Sequence, residues 1–247
     1  MARNSETGHA INVANFDILI AEATSYGTTF NPSKPALKLA ALTTLSTASK
    51  NAMNTVSSTA IALSLARNAR EAAFKPLGPL VTKANSAFNA TDTTAQVDAT
   101  AKTLVRKLQG RRATKKYTEE EKKAAAEKGI ELSNSSSSQM GIDNRIENFS
   151  TFIKLLSSVS LYAPNEADLK ITALTAVLND LKAKNTAVVN AVVADENARL
   201  SRHVVMYKDN TGLYDIALDV KTYIKSVFGA SSPRYKMISK LKFTKPR

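Results

Sequence analysis

Apolar positions return along this chain at helical intervals, and the same order of helices can be read twice. A first candidate helix, about residues 11 to 26, carries Ile11, Phe16 and Leu19. Its counterpart, about 142 to 161, sets Ile146, Phe149, Phe152, Ile153 and Leu156 on one face. Long helices are then predicted over roughly 34 to 74 and 166 to 207. In the first of these, Leu42, Ser49, Val56 and Leu63 recur every seven residues, with Leu45, Ala52, Thr59 and Ala66 between them. The second has Leu174, Leu181 and Val188, with Leu178, Asn185 and Val192 between them. Seven-residue spacing is coiled-coil periodicity, here with small seam residues. Each such helix would be about 60 Å long at 1.5 Å per residue. β-Branched Thr and Val lower intrinsic helicity, so packing has to hold these helices. An unpaired seam Asn is costly to bury. On that ground Asn185→Ala is expected to cost little, or even to stabilise.

Turn signals punctuate the pattern at matching places. Phe30-Asn31-Pro32-Ser33 and Tyr162-Ala163-Pro164-Asn165 each precede a long helix, with Ser33 and Asn165 as candidate N-caps. Lys75-Pro76-Leu77-Gly78-Pro79 and Asp209-Asn210-Thr211-Gly212 follow the long helices and reverse the chain. A third helix is predicted from about 79 to 109, with a break near Asn89, and from about 213 to 228. The first of this pair is read as longer by about four turns, because Phe74 to Lys102 exceeds Tyr207 to Lys221 by fourteen residues. Local identities repeat in the same order. Asn15-Phe16 returns as Asn148-Phe149, and Leu37-Lys38-Leu39 as Leu169-Lys170-Ile171. Lys102-Thr103-Leu104 returns as Lys221-Thr222-Tyr223. Between the copies, Thr118 and Glu121 form a capping box for a short charged helix to about 128, which Gly129 ends. Ser133-Asn134-Ser135-Ser136-Ser137-Ser138 reads as a flexible linker. The expected fold is all-α, an elongated bundle or coiled coil of two homologous three-helix units. The units are 1–110 and 141–247, joined by a basic and Ser-rich linker at 111–140.

Composition narrows the function. Aromatics are 6% of 247 residues and Trp is absent, so Ala, Leu, Val and Ile must build the core. Cysteine is absent, which excludes disulfides and thiolate metal sites. No apolar run approaches the roughly 20 residues of a membrane-spanning helix, and Met1 to Glu6 lead into no signal-like stretch. A cytoplasmic location without membrane insertion is therefore expected. The net charge of +13 is uneven. Lys102, Arg106, Lys107, Arg111, Arg112, Lys115 and Lys116 fall together with no acid among them, as do Arg234, Lys236, Lys240, Lys242, Lys245 and Arg247. Tyr117, Tyr235 and Phe243 lie within or beside these clusters, and cation with aromatic suits phosphate contact and base stacking. Against that, Met237, Ile238, Leu241 and Phe243 give the tail an apolar side that would pack on the bundle.

Catalytic patterns are hard to find. Glu-x-x-His occurs once, at Glu6 and His9, whereas the di-metal bundle site needs it from each of two helices. His9 falls in an N-terminus read as mobile, and His203 near the end of a long helix. The Ser-rich run has no Gly-x-Ser-x-Gly elbow, and no Gly-x-Gly-x-x-Gly occurs. Arg67, Arg70, Arg199 and Arg202 read as hydrogen-bond donors within the bundle. No enzyme activity, metal or cofactor is expected.

Gly8-His9-Ala10, Asn31-Pro32-Ser33-Lys34, Tyr162-Ala163-Pro164-Asn165-Glu166 and Lys221-Thr222-Tyr223-Ile224-Lys225 carry one further observation. Through them the chain resembles a family of duplicated, all-helical cytoplasmic proteins of Bacteroidota to which no activity is attached. The resemblance implies the two-copy organisation and no site. The expected function is a non-catalytic structural or assembly scaffold that associates with itself. The alternative is a nucleic-acid-associated protein using the two basic clusters, or one that meets an acidic protein partner.

Overall fold

The computed structural model describes residues 6–112, 116–131 and 139–246, with side chains from Gly8 onward. Every regular element among the described residues is helical. In chain order these are α1 (Glu6–Ser25), α2 (Leu39–Phe74), α3 (Leu77–Asn89), α4 (Ala95–Leu108) and α5 (Glu119–Ala126). After them come α6 (Ile142–Ser158), α7 (Ile171–Tyr207), α8 (Leu213–Phe228) and α9 (Pro233–Ser239). The Ser-rich run Ser133–Ser138 lies outside the described residues.

Both long helices begin later than the sequence suggests. A short 3-10 turn, Pro35–Leu37 or Ala167–Leu169, precedes each, and extended Lys38 or Lys170 separates it from the helix. Neither Ser33 nor Asn165 caps these turns; Lys34 and Glu166 hold the capping positions, without a side-chain bond. Proline at 35 forces Lys34 into extended backbone, which delays the helix in the first case. In the second, the buried Tyr162 hydroxyl donates to the Leu169 carbonyl at 2.9 Å and so takes an acceptor out of the helix ladder. Each turn buries its leucine, Leu37 or Leu169.

The region 79 to 109 is two helices, and α4 is no longer than α8. The extra fourteen residues form α3 and its turn instead of extending one helix. Asn89 to Thr94 is a run of residues that bond locally in competition with a helix. Thr91 Oγ1 donates to the Phe88 carbonyl at 2.7 Å, and the Thr93 hydroxyl to the Asp98 carboxylate. The capping box at α5 forms as read, with both reciprocal bonds between Thr118 and Glu121.

Two compact units emerge; the first joins the two ends of the chain and the second is one continuous stretch between them. Unit 1 takes Met1–Ser64 and Asn190–Arg247; unit 2 is Leu65–Val189. This division differs from the segments 1–110, 111–140 and 141–247. In unit 1, α1 packs on α8, and α8 on α9. Phe16, Leu19, Leu42, Met206, Leu213 and Ile224 are among its core residues. In unit 2, α4 packs on α6 and on α3, around Phe88, Leu104, Phe149, Phe152, Leu174 and Leu181. The long helices are the physical reason. At about 1.5 Å per residue each spans about 55 Å, so the elements before and after it pack on different partners.

The seven-residue pattern is legible in the burial. Leu42, Ser49, Val56 and Leu63 are buried, as are Leu174, Leu181 and Val188. Polar side chains link the two long helices within each unit. In unit 1, Thr59 Oγ1 donates to Asp195 at 3.1 Å. In unit 2, Arg70 Nη1 donates to Asn185 Oδ1 at 3.0 Å, and Asn185 Nδ2 donates to Asp143 at 2.9 Å. Asn185 is therefore paired at both ends, which overturns its reading as an unpaired seam residue.

Candidate functional site

The first basic cluster is built by the end of α4. Its amphipathic face buries Ala101, Leu104, Val105 and Leu108, which turns Lys102 and Arg106 toward the other side of the helix. The helix then stops on Gly110, whose φ of 67° is left-handed. Arg111 N–H bonds the Arg106 carbonyl at 2.9 Å and Gly110 N–H the Lys107 carbonyl at 3.2 Å. That is a Schellman end, and it folds Arg111 and Arg112 back across the last turn. Lys102, Arg106, Arg111 and Arg112 thereby line one groove of about 850 Å³.

The far wall comes from α3. Asn85 and Asn89, four residues apart on that helix, line the same groove, together with Thr103 and Gln109 of the α4 side. Gln109 Nε2 donates to Thr82 Oγ1 at 2.9 Å, which holds its amide in place. Asn85 Oδ1 is buried and accepts no hydrogen bond from the described residues. Among the described residues Asp98 is the single acid in the lining, and its carboxylate accepts from the Thr93 hydroxyl. Among the described residues Lys102, Arg106 and Arg111 form no ion pair. Lys107 is half-buried beside the groove and Lys116 is exposed; neither lines it. Lys115 lies outside the described residues.

The second cluster has a different fate. Here the tail is docked along unit 1. Ile238 of α9 is buried, and Asn12 of α1 clamps Thr244 in both directions. Its Nδ2 donates to the Thr244 carbonyl at 2.7 Å and its Oδ1 accepts from the Thr244 N–H at 2.9 Å. Asn15 Nδ2 donates to the Lys242 carbonyl at 2.7 Å. Lys221 of α8 donates to the Leu241 and Ser239 carbonyls at 2.9 and 3.3 Å, and burial pulls its pKa below the usual lysine value. Several tail cations are likewise engaged. The Arg234 guanidinium sits 4.7 Å from the Phe228 ring centre and 5.5 Å from that of Tyr26. Lys245 pairs with Asp209 at 3.0 Å, a hydrogen bond that raises its pKa. Lys236, Lys240 and Lys242 are exposed.

Two other readings are settled by position. His9 is not in a loose terminus: it lies within α1, is 5% exposed, and its Nδ1 is 2.7 Å from the Tyr207 hydroxyl. Arg199 pairs with Asp195 at 2.8 Å, and Arg202 is buried. Among the described residues no His, Asp or Glu group could hold a metal ion, and no helix is long and apolar enough to cross a membrane.

Asn85, Asn89 and Gln109 were not among the residues singled out from sequence. Their one sequence signal is Asn at positions four apart inside a helix, where Asn is intrinsically unfavourable. The chain matches no protein-family model, no curated protein and no solved structure.

Proposed function

We propose that the protein is a non-catalytic helical scaffold whose unit 2 groove binds the phosphates of nucleic acid. One observation carries this: Lys102, Arg106, Arg111 and Arg112 converge on a single concavity whose only acid is already hydrogen-bonded. Cations that outnumber the one carboxylate in the lining attract polyanions and release their condensed counterions. Binding should tolerate sequence changes, because phosphate contacts position a chain without reading it. Three phosphate contacts, from Lys102, Arg106 and Arg111, give a slope of log affinity against log salt of about −2 for a single strand. The test is fluorescence anisotropy with labelled oligonucleotides across a salt series. Lys102→Glu with Arg106→Glu should flatten that slope and weaken binding. Absence of binding by the intact protein at about 50 mM salt, where phosphate contacts are strong, sinks the proposal.

A second reading, self-association, is favoured by one face of α7 in unit 1. Val193, Leu200 and Val204 are spaced by seven and four residues and are 50%, 65% and 52% exposed. An exposed apolar stripe of this spacing suits a helix partner. Sedimentation that shows concentration-dependent mass, abolished by Leu200→Glu, would support it; a monomer at all concentrations would end it. The duplicated design fits either reading. α2 and α7 have 36 and 37 residues, each follows a leucine-burying 3-10 turn, and Phe16 and Phe149 are both fully buried.

A further inference from the structure

We infer that the unit 2 groove takes an unpaired nucleotide, with Lys102, Arg106 and Arg111 on its phosphates and the Asn85 and Asn89 carboxamides on its base edge. This rests on the nucleic-acid reading above and deepens it. Three features of the groove separate it from a surface that only meets phosphates.

The first is its volume. About 850 Å³ lies within the range of pockets that bury most of a small organic ligand. A duplex keeps its bases stacked inside and presents ridges of phosphate, which need no hollow. A single strand can splay a base into one.

The second is the chemistry of the α3 wall. Carboxamides add no charge for a phosphate, and an amide oxygen is repelled by phosphate oxygens. A base edge, by contrast, carries N–H donors and ring acceptors side by side, which an Asn side chain matches with both its atoms. Asn85 supplies the sharpest hint, because its Oδ1 is buried with no donor. Buried polar groups are ordinarily hydrogen-bonded, so an acceptor left open at a groove wall calls for a ligand donor.

The third is that no aromatic side chain lines the groove among the described residues, which places stacking on the arginines. Guanidinium planes stack on bases while bonding phosphates, and Arg106 and Arg111 stand at the groove. Val105 and Ala99 supply an apolar floor.

The experiment compares three probes on the full-length protein by fluorescence anisotropy at one salt concentration. They are a mixed-sequence DNA strand of about a dozen nucleotides, the same strand with every base replaced by an abasic analogue, and the blunt duplex. The intact strand should bind about tenfold tighter than either other probe. Asn85→Ala should bring the intact strand down to the abasic level and leave its salt slope unchanged. Asn89→Ala, at an exposed position, should act in the same direction and serves if Asn85→Ala does not fold. Lys102→Glu should instead weaken all three probes and flatten their slopes. Equal or tighter binding of the abasic strand or the duplex overturns the base-edge assignment while leaving the phosphate reading in place. No binding of any probe overturns both.

Discussion

Asn185 occupies a seam position in α7, yet both ends of its carboxamide are used, by Arg70 and Asp143. Its removal would leave two polar partners short, so Asn185→Ala should destabilise by about 1 kcal/mol. Leu181→Ala, at a fully buried seam position, should cost more, about 2–5 kcal/mol. Urea unfolding midpoints of the two variants test the order. Spacing identifies a seam residue, but it does not reveal a hydrogen-bond partner on another helix, and Asp143 is forty-two residues away in the chain. A second residue-scale prediction concerns Asp17. Burial acts to raise its pKa, but hydrogen bonds from Lys50 and Ser46 outweigh it and the net shift is downward. A depressed carboxylate contributes stability that is present above its unfolded pKa and lost as pH falls through the folded one. Stability should therefore fall in acid, below the ordinary aspartate value of about 3.9. Asp17→Asn should reduce the acid loss, as read by thermal melts across that range.

At the scale of elements, the end of α4 and the docking of the tail decide where the cations go. Gly110→Ala would put a side chain at a left-handed position and against the Met140 side chain, whose Cγ would be 2.9 Å away. The strain is about 1–2 kcal/mol. Because the Schellman turn aims Arg111 and Arg112, the variant should also lose oligonucleotide affinity without losing a charge. Gly212 is required for a different reason, since a Cβ there would lie 2.7 Å from the Lys208 backbone N. The tail depends on α1. Asn12→Ala removes both bonds to Thr244, and hydrogen exchange at the Thr244 amide should rise toward that of an unprotected residue. Protection unchanged by the substitution would show that Ile238 and Phe243 suffice to hold the tail. The apolar residues within the tail already announced that it packs; the amide clamp was not legible, because Asn12 and Thr244 are 232 residues apart.

For the whole molecule, +13 of net charge on 247 residues means that like charges oppose the compact state. Added salt should raise the melting temperature of the wild type by screening, and Lys102→Glu with Arg106→Glu should reduce that gain. A polyanion that binds only the folded groove should raise it further, by an amount that grows with the logarithm of its free concentration over Kd. No such rise with a single strand would count against the groove as a site.

What the sequence by itself determined is local. The seven-residue repeat set the buried face of α2 and α7, the Thr118 and Glu121 spacing set the start of α5, and the run after Asn89 set the break before α4. Each depends on residues within one or two helical turns of one another, so each is written in a short stretch of chain. Tertiary structure alone decided that α1 packs on α8, that the tail lies under the Asn12 clamp, and that α3 turns Asn85 toward the arginines at the end of α4 and just beyond it. Those outcomes depend on which apolar faces bury each other across large separations. Helical periodicity marks a face to be buried but carries no address for its partner.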